Sequence, residues 1–190
     1  MPRLHNLYSI TDTTAAMLRQ NTDLCILFVE GVDGYIDLIS ERDDVDIEED
    51  AVPELNTSKE ENFLIGFTPS TNDTYIYNQI LKEYDPSLCD SFLQFFYNGD
   101  SDVRCEDLDL LYLINSSQFI KSTQQQFTKL LSNWPTKPID REKLAAEHNA
   151  PYLLNQTEEQ FAKETFEFFD DYCKALTDLA AKNLGTIASV

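Results

Sequence analysis

Apolar positions change period along this chain, and each change marks an element. Residues 9–20 read as a first helix, with Ser9, Thr11 and Asp12 as N-cap oxygens and Ala15, Ala16, Met17 and Leu18 as helix formers. The unbroken apolar run in 24–30 reads as a buried strand, and Tyr35, Ile36, Leu38 and Ile39 suggest a second. Between them Val32-Asp33-Gly34 predicts a tight turn, because glycine accepts positive φ without steric cost; the three pieces make a hairpin. Asn62 to Phe67 reads as a further strand. From Ser70 to Gly99 the period is helical. Asn72 or Asp73 would cap a helix carrying Tyr75, Ile76, Ile80, Leu81 and Tyr84. Asp85-Pro86-Ser87 breaks it, Leu88, Cys89, Phe92, Leu93 and Phe96 mark one face of the next helix, and Gly99 stops that one.

The remainder follows the same logic. Residues 110–114 predict a strand, and Ser116 or Ser117 opens a helix bearing Phe119, Ile120, Phe127, Leu130, Leu131 and Trp134, ended by Pro135 and Pro138. Residues 140–148 form a short helix. Thr157-Glu158-Glu159-Gln160 is a capping box launching a long helix to about Asn183, lined by Phe161, Phe168, Tyr172, Leu176 and Leu179. Gly185 stops it, and residues 186–190 predict a short edge strand. The order is helix, hairpin, strand, helices, strand, helices. That is α+β, a small mostly antiparallel sheet packed against several helices, rather than the βαβ alternation of a nucleotide-binding sheet.

Composition supports one domain over residues 1–190. Hydrophobic residues are 42% and aromatics 12% of the chain, enough to bury a core despite the charge. Met1 to Tyr8 carries no apolar stretch of the kind that opens a secretory signal, which predicts a cytoplasmic location and no membrane span. Cys25, Cys89, Cys105 and Cys173 are widely spaced, so they are expected to be buried thiols.

Charge alters the picture most. Asp and Glu total 34 against 14 Lys and Arg, a net charge of −20. The surplus concentrates in two stretches read as exposed acidic loops, 41–61 and 100–109. The first holds ten carboxylates against Arg42 and Lys59, and the second five against Arg104. Such a chain cannot neutralise phosphates, which excludes direct nucleic-acid binding, and it favours a basic partner.

Two ends of the chain resemble a known family. Asn6-Leu7-Tyr8-Ser9-Ile10 at the start, Tyr112-Leu113-Ile114-Asn115 leading into a helix, Phe166-Glu167-Phe168-Phe169 with Tyr172-Cys173-Lys174-Ala175-Leu176, and the closing Ala180-Ala181-Lys182-Asn183-Leu184-Gly185 are similar to the YfbM-like family of small bacterial proteins of unknown function. The resemblance implies a strand running into a helix at the start, a last strand after the long helix and an α+β fold. It implies no catalysis. Tyr77-Asn78-Gln79-Ile80-Leu81 stands where that family carries an apolar helix with a Trp and a His.

Chemistry is sparse. His5 and His148 are the only histidines, and no phosphate-binding glycine loop or nucleophile elbow occurs. Asp44-x-Asp46-x-Glu48 and Asp100-x-Asp102 lack the glycine and the twelfth-position glutamate of a calcium loop. No cofactor, metal or catalytic residue is therefore expected. The expected function is non-enzymatic: a bacterial immunity protein whose acidic loops plug a basic surface or active site of a cognate toxin or effector. Asp43, Asp44, Asp46, Glu48, Glu49, Asp50, Asp100, Asp102, Glu106 and Asp107 would make the contact. Alternatives are a DNA-mimic inhibitor of a nucleic-acid enzyme and a small-ligand protein or enzyme of YfbM-like type.

Overall fold

The computed structural model describes residues 7–43, 52–55, 69–135 and 137–189. Four strands, β1 (Leu7–Ile10), β2 (Ser101–Cys105), β3 (Leu110–Asn115) and β4 (Gly185–Ser189), form one antiparallel sheet in the order β1-β4-β3-β2. Its register aligns Tyr8 and Ile114 with Ile187, and Val103 with Tyr112. Successive side chains of a strand point to opposite faces, so the register sorts them into two sets. Tyr8, Ile10, Val103, Cys105, Tyr112, Ile114 and Ile187 pack with α1 (Asp12–Leu18) and α2 (Thr22–Asp43). Leu7 and Ala188 belong to the opposite cluster, built by the remaining helices. The fold is α+β, as the element order predicts.

The chain's start differs from the helix that local propensity predicts over 9–20 and has the strand running into a helix that the resemblance implies. Residues 7–10 are a strand, because pairing with β4 buries Leu7, Ser9 and Ile10 almost completely. The helix begins only after Thr11, whose Oγ1 accepts from the Thr14 N–H at 3.2 Å. The hairpin expected over 24–39 is instead α2. A continuous apolar run does not distinguish a buried strand from a buried helix. The deciding groups are Asn21, whose side chain accepts from the N–H groups of Asp23 (2.9 Å) and Leu24 (3.3 Å), and Gly31, where the helix kinks at φ 77°, ψ −177°. The positive φ expected at Gly34 thus falls three residues earlier.

The helical layer follows the pattern more closely. It comprises α3 (Thr71–Tyr84), α4 (Cys89–Leu93) continuing in a wider turn over Gln94–Asn98, α5 (Ser117–Ser132), α6 (Arg141–Glu147) and α7 (Glu158–Ala181). Ser70, Ser116, Asp140 and Thr157 are the N-caps, and the Thr157–Gln160 capping box is closed from both sides. Gly99, at φ 63°, ends the wide turn. The core here is aromatic: Phe92, Phe95, Phe96, Phe127, Phe169 and Tyr172 are fully buried, with edge-on pairs such as Phe127–Tyr172 at 4.9 Å between ring centres. The long helix is rotated slightly from its predicted face, so that Phe169 is buried and Phe168 only half so.

Three expectations on acidic and terminal segments need correction. Residues 100–109 are not a loop: they hold edge strand β2 and a short turn of helix at Glu106–Leu108. Strand β4 is not at the edge but between β1 and β3, so close to β3 that a Cβ on Gly185 would lie 2.1 Å from the Asn115 carbonyl oxygen. Residues 41–43 end α2 rather than open a loop. Residues 44–51 and 56–61 of the first acidic stretch, and the predicted strand at 62–67, lie outside the described residues.

Candidate functional site: a carboxylate and aromatic cleft

The acidic residues singled out in the sequence have different fates. Asp44, Asp46, Glu48, Glu49 and Asp50 lie outside the described residues, and Asp43 is the last residue of α2. Asp102, Glu106 and Asp107 are exposed along β2 and the turn after it. Asp100 is exposed but bonded to the fold. Its Oδ2 accepts from the Ser116 N–H at 2.7 Å and from the Ser116 hydroxyl, and its Oδ1 pairs with Arg19 Nη2 at 2.9 Å. Arg19 Nε also donates to Ser101 Oγ at 2.6 Å. Asp12 does similar work one residue on, accepting from the Ser117 N–H at 2.8 Å and its hydroxyl at 2.6 Å. Both carboxylates tie the sheet and α1 to the N-terminus of α5, where the helix dipole favours negative charge.

A different pair of carboxylates faces open space. A half-open cleft of about 380 Å³ lies between α3, the turn Pro151–Asn155 and α7. One wall is the α3 stripe Asp73, Ile76 and Tyr77; the opposite wall is the α7 stripe Phe161, Glu164, Thr165 and Phe168. Both have the i, i+3, i+4 spacing of a single helix face. Pro69, Tyr152, Leu153 and Gln156 complete the lining.

Each carboxylate is held by neutral donors. At the start of α3 the Ser70 hydroxyl donates to Asp73 Oδ2 at 2.5 Å while its oxygen accepts from the Asp73 N–H at 3.1 Å. This reciprocal cap fixes the Asp73 side chain. Tyr152 donates its hydroxyl to Asp73 Oδ1 at 3.0 Å. Across the cleft, Gln156 Nε2 donates to Glu164 Oε2 at 2.5 Å, its main-chain oxygen accepts from Arg141, and its Oε1 is buried without a partner. Neither Asp73 nor Glu164 forms an ion pair among the described residues.

The rings between them stay neutral. The Tyr77 ring stacks on Phe168 at 3.5 Å between centres and meets Phe169 edge-on at 5.6 Å. Burial, then the negative fields of Asp73 and Glu164, push the Tyr77 phenol up to about 12. Burial and the Asp73 carboxylate do the same to Tyr152, also to about 12. The cleft is thus lined by aromatic faces and fixed acceptors, and its described lining carries no thiol, imidazole or amine. A second cleft of about 290 Å³, around Tyr84 and Trp134, carries both signs: Lys137 and Arg141 against Glu158 and Glu159.

All four cysteines are buried free thiols, as expected, and burial pushes Cys25 up to about 12. No cluster of three or more His, Cys, Asp or Glu side chains could hold a metal ion, and no helix is long and apolar enough to cross a membrane, among the described residues. Tyr75 and Tyr77 are both half-buried, Tyr75 stacking on Tyr97 at 5.4 Å. From the sequence, Asp73 is only a candidate helix cap, and Tyr77 has no assigned role. The signal for the cleft was the spacing of Asp73 with Tyr77 and of Glu164 with Phe168, but nothing local shows that the two stripes meet. Comparison with family models, with curated proteins and with solved structures found no match to this chain.

Proposed function

We propose that this chain is a non-enzymatic binding protein that captures a basic protein, in the manner of a bacterial immunity protein neutralising a cognate toxin. The observation that carries this reading is the charge surplus. One-to-one pairing of 34 acidic with 14 basic side chains leaves 20 carboxylates without a cation. Several of those 14 cations are seen paired within the chain: Arg19 with Asp100, Lys137 with Glu83, Lys174 with Asp170 and Asp171. A surface so biased raises encounter rates with a basic partner about 10- to 1,000-fold at low salt and rejects acidic ones. Kinship with the YfbM-like family belongs to the same proposal. What supports it is the pair of strand-to-helix junctions at Ile10–Asp12 and Asn115–Ser117 and the last strand following α7.

The cleft favours a second reading, a protein for a small cationic ligand, because convergent polar groups in a cavity of this size suit a small molecule. Co-expression separates the two. The neighbouring gene expressed alone should be toxic to cells, and this chain should relieve the toxicity and co-purify with the product. A harmless neighbour, or toxicity that this chain leaves unrelieved, contradicts the immunity reading.

A further inference from the structure

We propose that the cleft between α3 and α7 is a receptor for an alkylguanidinium group, held by the Asp73 and Glu164 carboxylates beside the Tyr77 and Phe168 rings. The group is the head of an arginine side chain or of a free arginine-like molecule. Only the first of these sources rests on the proposed capture of a basic protein.

Three observations converge on this chemistry. The two carboxylates of the cleft are acceptors in need of donors. Tyr152 and Ser70 have already given their protons to Asp73, and Gln156 has given one to Glu164, so both carboxylates are oriented yet keep their full charge. A ligand must therefore bring N–H groups and positive charge; an anion would meet two carboxylates and no cation. The walls are aromatic, and a guanidinium stacks on such rings while forking its five N–H groups toward carboxylates. An ammonium group is more strongly hydrated and has only three donors, and it gains less from the rings. The size agrees: about 380 Å³ admits a guanidinium with its alkyl stem and a few flanking atoms, near the lower end of ligand cavities. A divalent metal fits poorly, because hard cations take six or more oxygens and half of this lining is hydrocarbon.

The test is a titration of the whole chain at low salt, followed by calorimetry and by amide chemical shifts, with ethylguanidinium, n-butylammonium and neutral propylurea. Ethylguanidinium should bind at one saturable site, n-butylammonium several-fold more weakly, and propylurea not measurably. E164Q and D73N should each weaken ethylguanidinium about tenfold or more, as expected for loss of one charge-assisted contact. E164Q changes an exposed side chain, so it reports on binding even if D73N loosens the start of α3. Wild-type affinity in E164Q, or propylurea binding as tightly as ethylguanidinium, overturns the proposal. Two further probes distinguish the sources: a capped Ala-Arg-Ala peptide binding tighter than agmatine assigns a protein arginine, and the reverse order assigns a free molecule. Failure of the guanidinium titration leaves the co-expression result standing, and saturable binding with failed co-expression removes the immunity reading alone.

Discussion

Asp100 and Asp73 are both carboxylates at the start of a helix, each held by a serine, and they do opposite work. Asp100 accepts from the backbone and hydroxyl of Ser116 and is matched by Arg19. Asp73 is held by Ser70 and Tyr152, which orient the charge without cancelling it. The first closes the fold. The second leaves a formal charge facing a cleft. Asp100 comes from a stretch dense in acid, Asp73 from a helix with an ordinary apolar stripe, so the density of charge along the chain is a poor guide to where charge remains available.

The largest predicted effect comes from the frame that carries the Asp100 clamp. Gly185→Ala would drive a methyl group into the Asn115 carbonyl, one residue before Ser116, and should cost more than about 4 kcal/mol or abolish folding. Urea denaturation or the yield of soluble protein checks this. Next comes the clamp itself. Asp100→Ala removes a helix-end acceptor and the partly exposed partner of Arg19, which together suggest a loss of about 2 kcal/mol, read as a lower melting temperature. If Asp73→Asn proved as destabilising as Asp100→Ala, the contrast between the two would break.

Smaller effects sharpen it. Asp102→Asn with Glu106→Gln and Asp107→Asn should change stability by no more than about 0.5 kcal/mol, since these side chains are exposed. Raising the pH tests the neutral cleft. The half-buried Tyr77 phenol is pushed from 10.0 up to about 12, so its neutral form contributes stability that is complete below pH 10 and is lost as the pH rises toward 12. Absorbance of the phenolate near 295 nm should show a tyrosine fraction titrating only near pH 12 or on unfolding. Smallest of all, the four buried thiols should be silent to a thiol reagent at neutral pH and react fully in denaturant.

How much of this was legible in the sequence depends on locality. The helices within 70–98 and 116–183 could be read because their signals are local: Ser116, Asp140 and Thr157 cap helices, Pro86 and Pro135 break them, and apolar residues recur with the helical period, whereas the acidic residues of 100–109 concealed edge strand β2. The N-terminal third misled for a physical reason. Residues 24–29 are apolar at every position, so period carries no information there, and Asp33-Gly34 imitates a hairpin turn. The groups that settle the matter, Asn21 and Gly31, are easily passed over. The cleft could not be read at all, since it needs Asp73, Tyr152 and Glu164 brought together from three separate segments.

In the proposed cleft the position of a carboxylate, rather than the total charge, decides where a cation binds. Calorimetric titration of ethylguanidinium into E164Q and D102N tests it most directly, because each variant removes one negative charge. Affinity should fall about tenfold in E164Q and stay at the wild-type level in D102N. Equal losses in the two would contradict it, showing a diffuse attraction with no site.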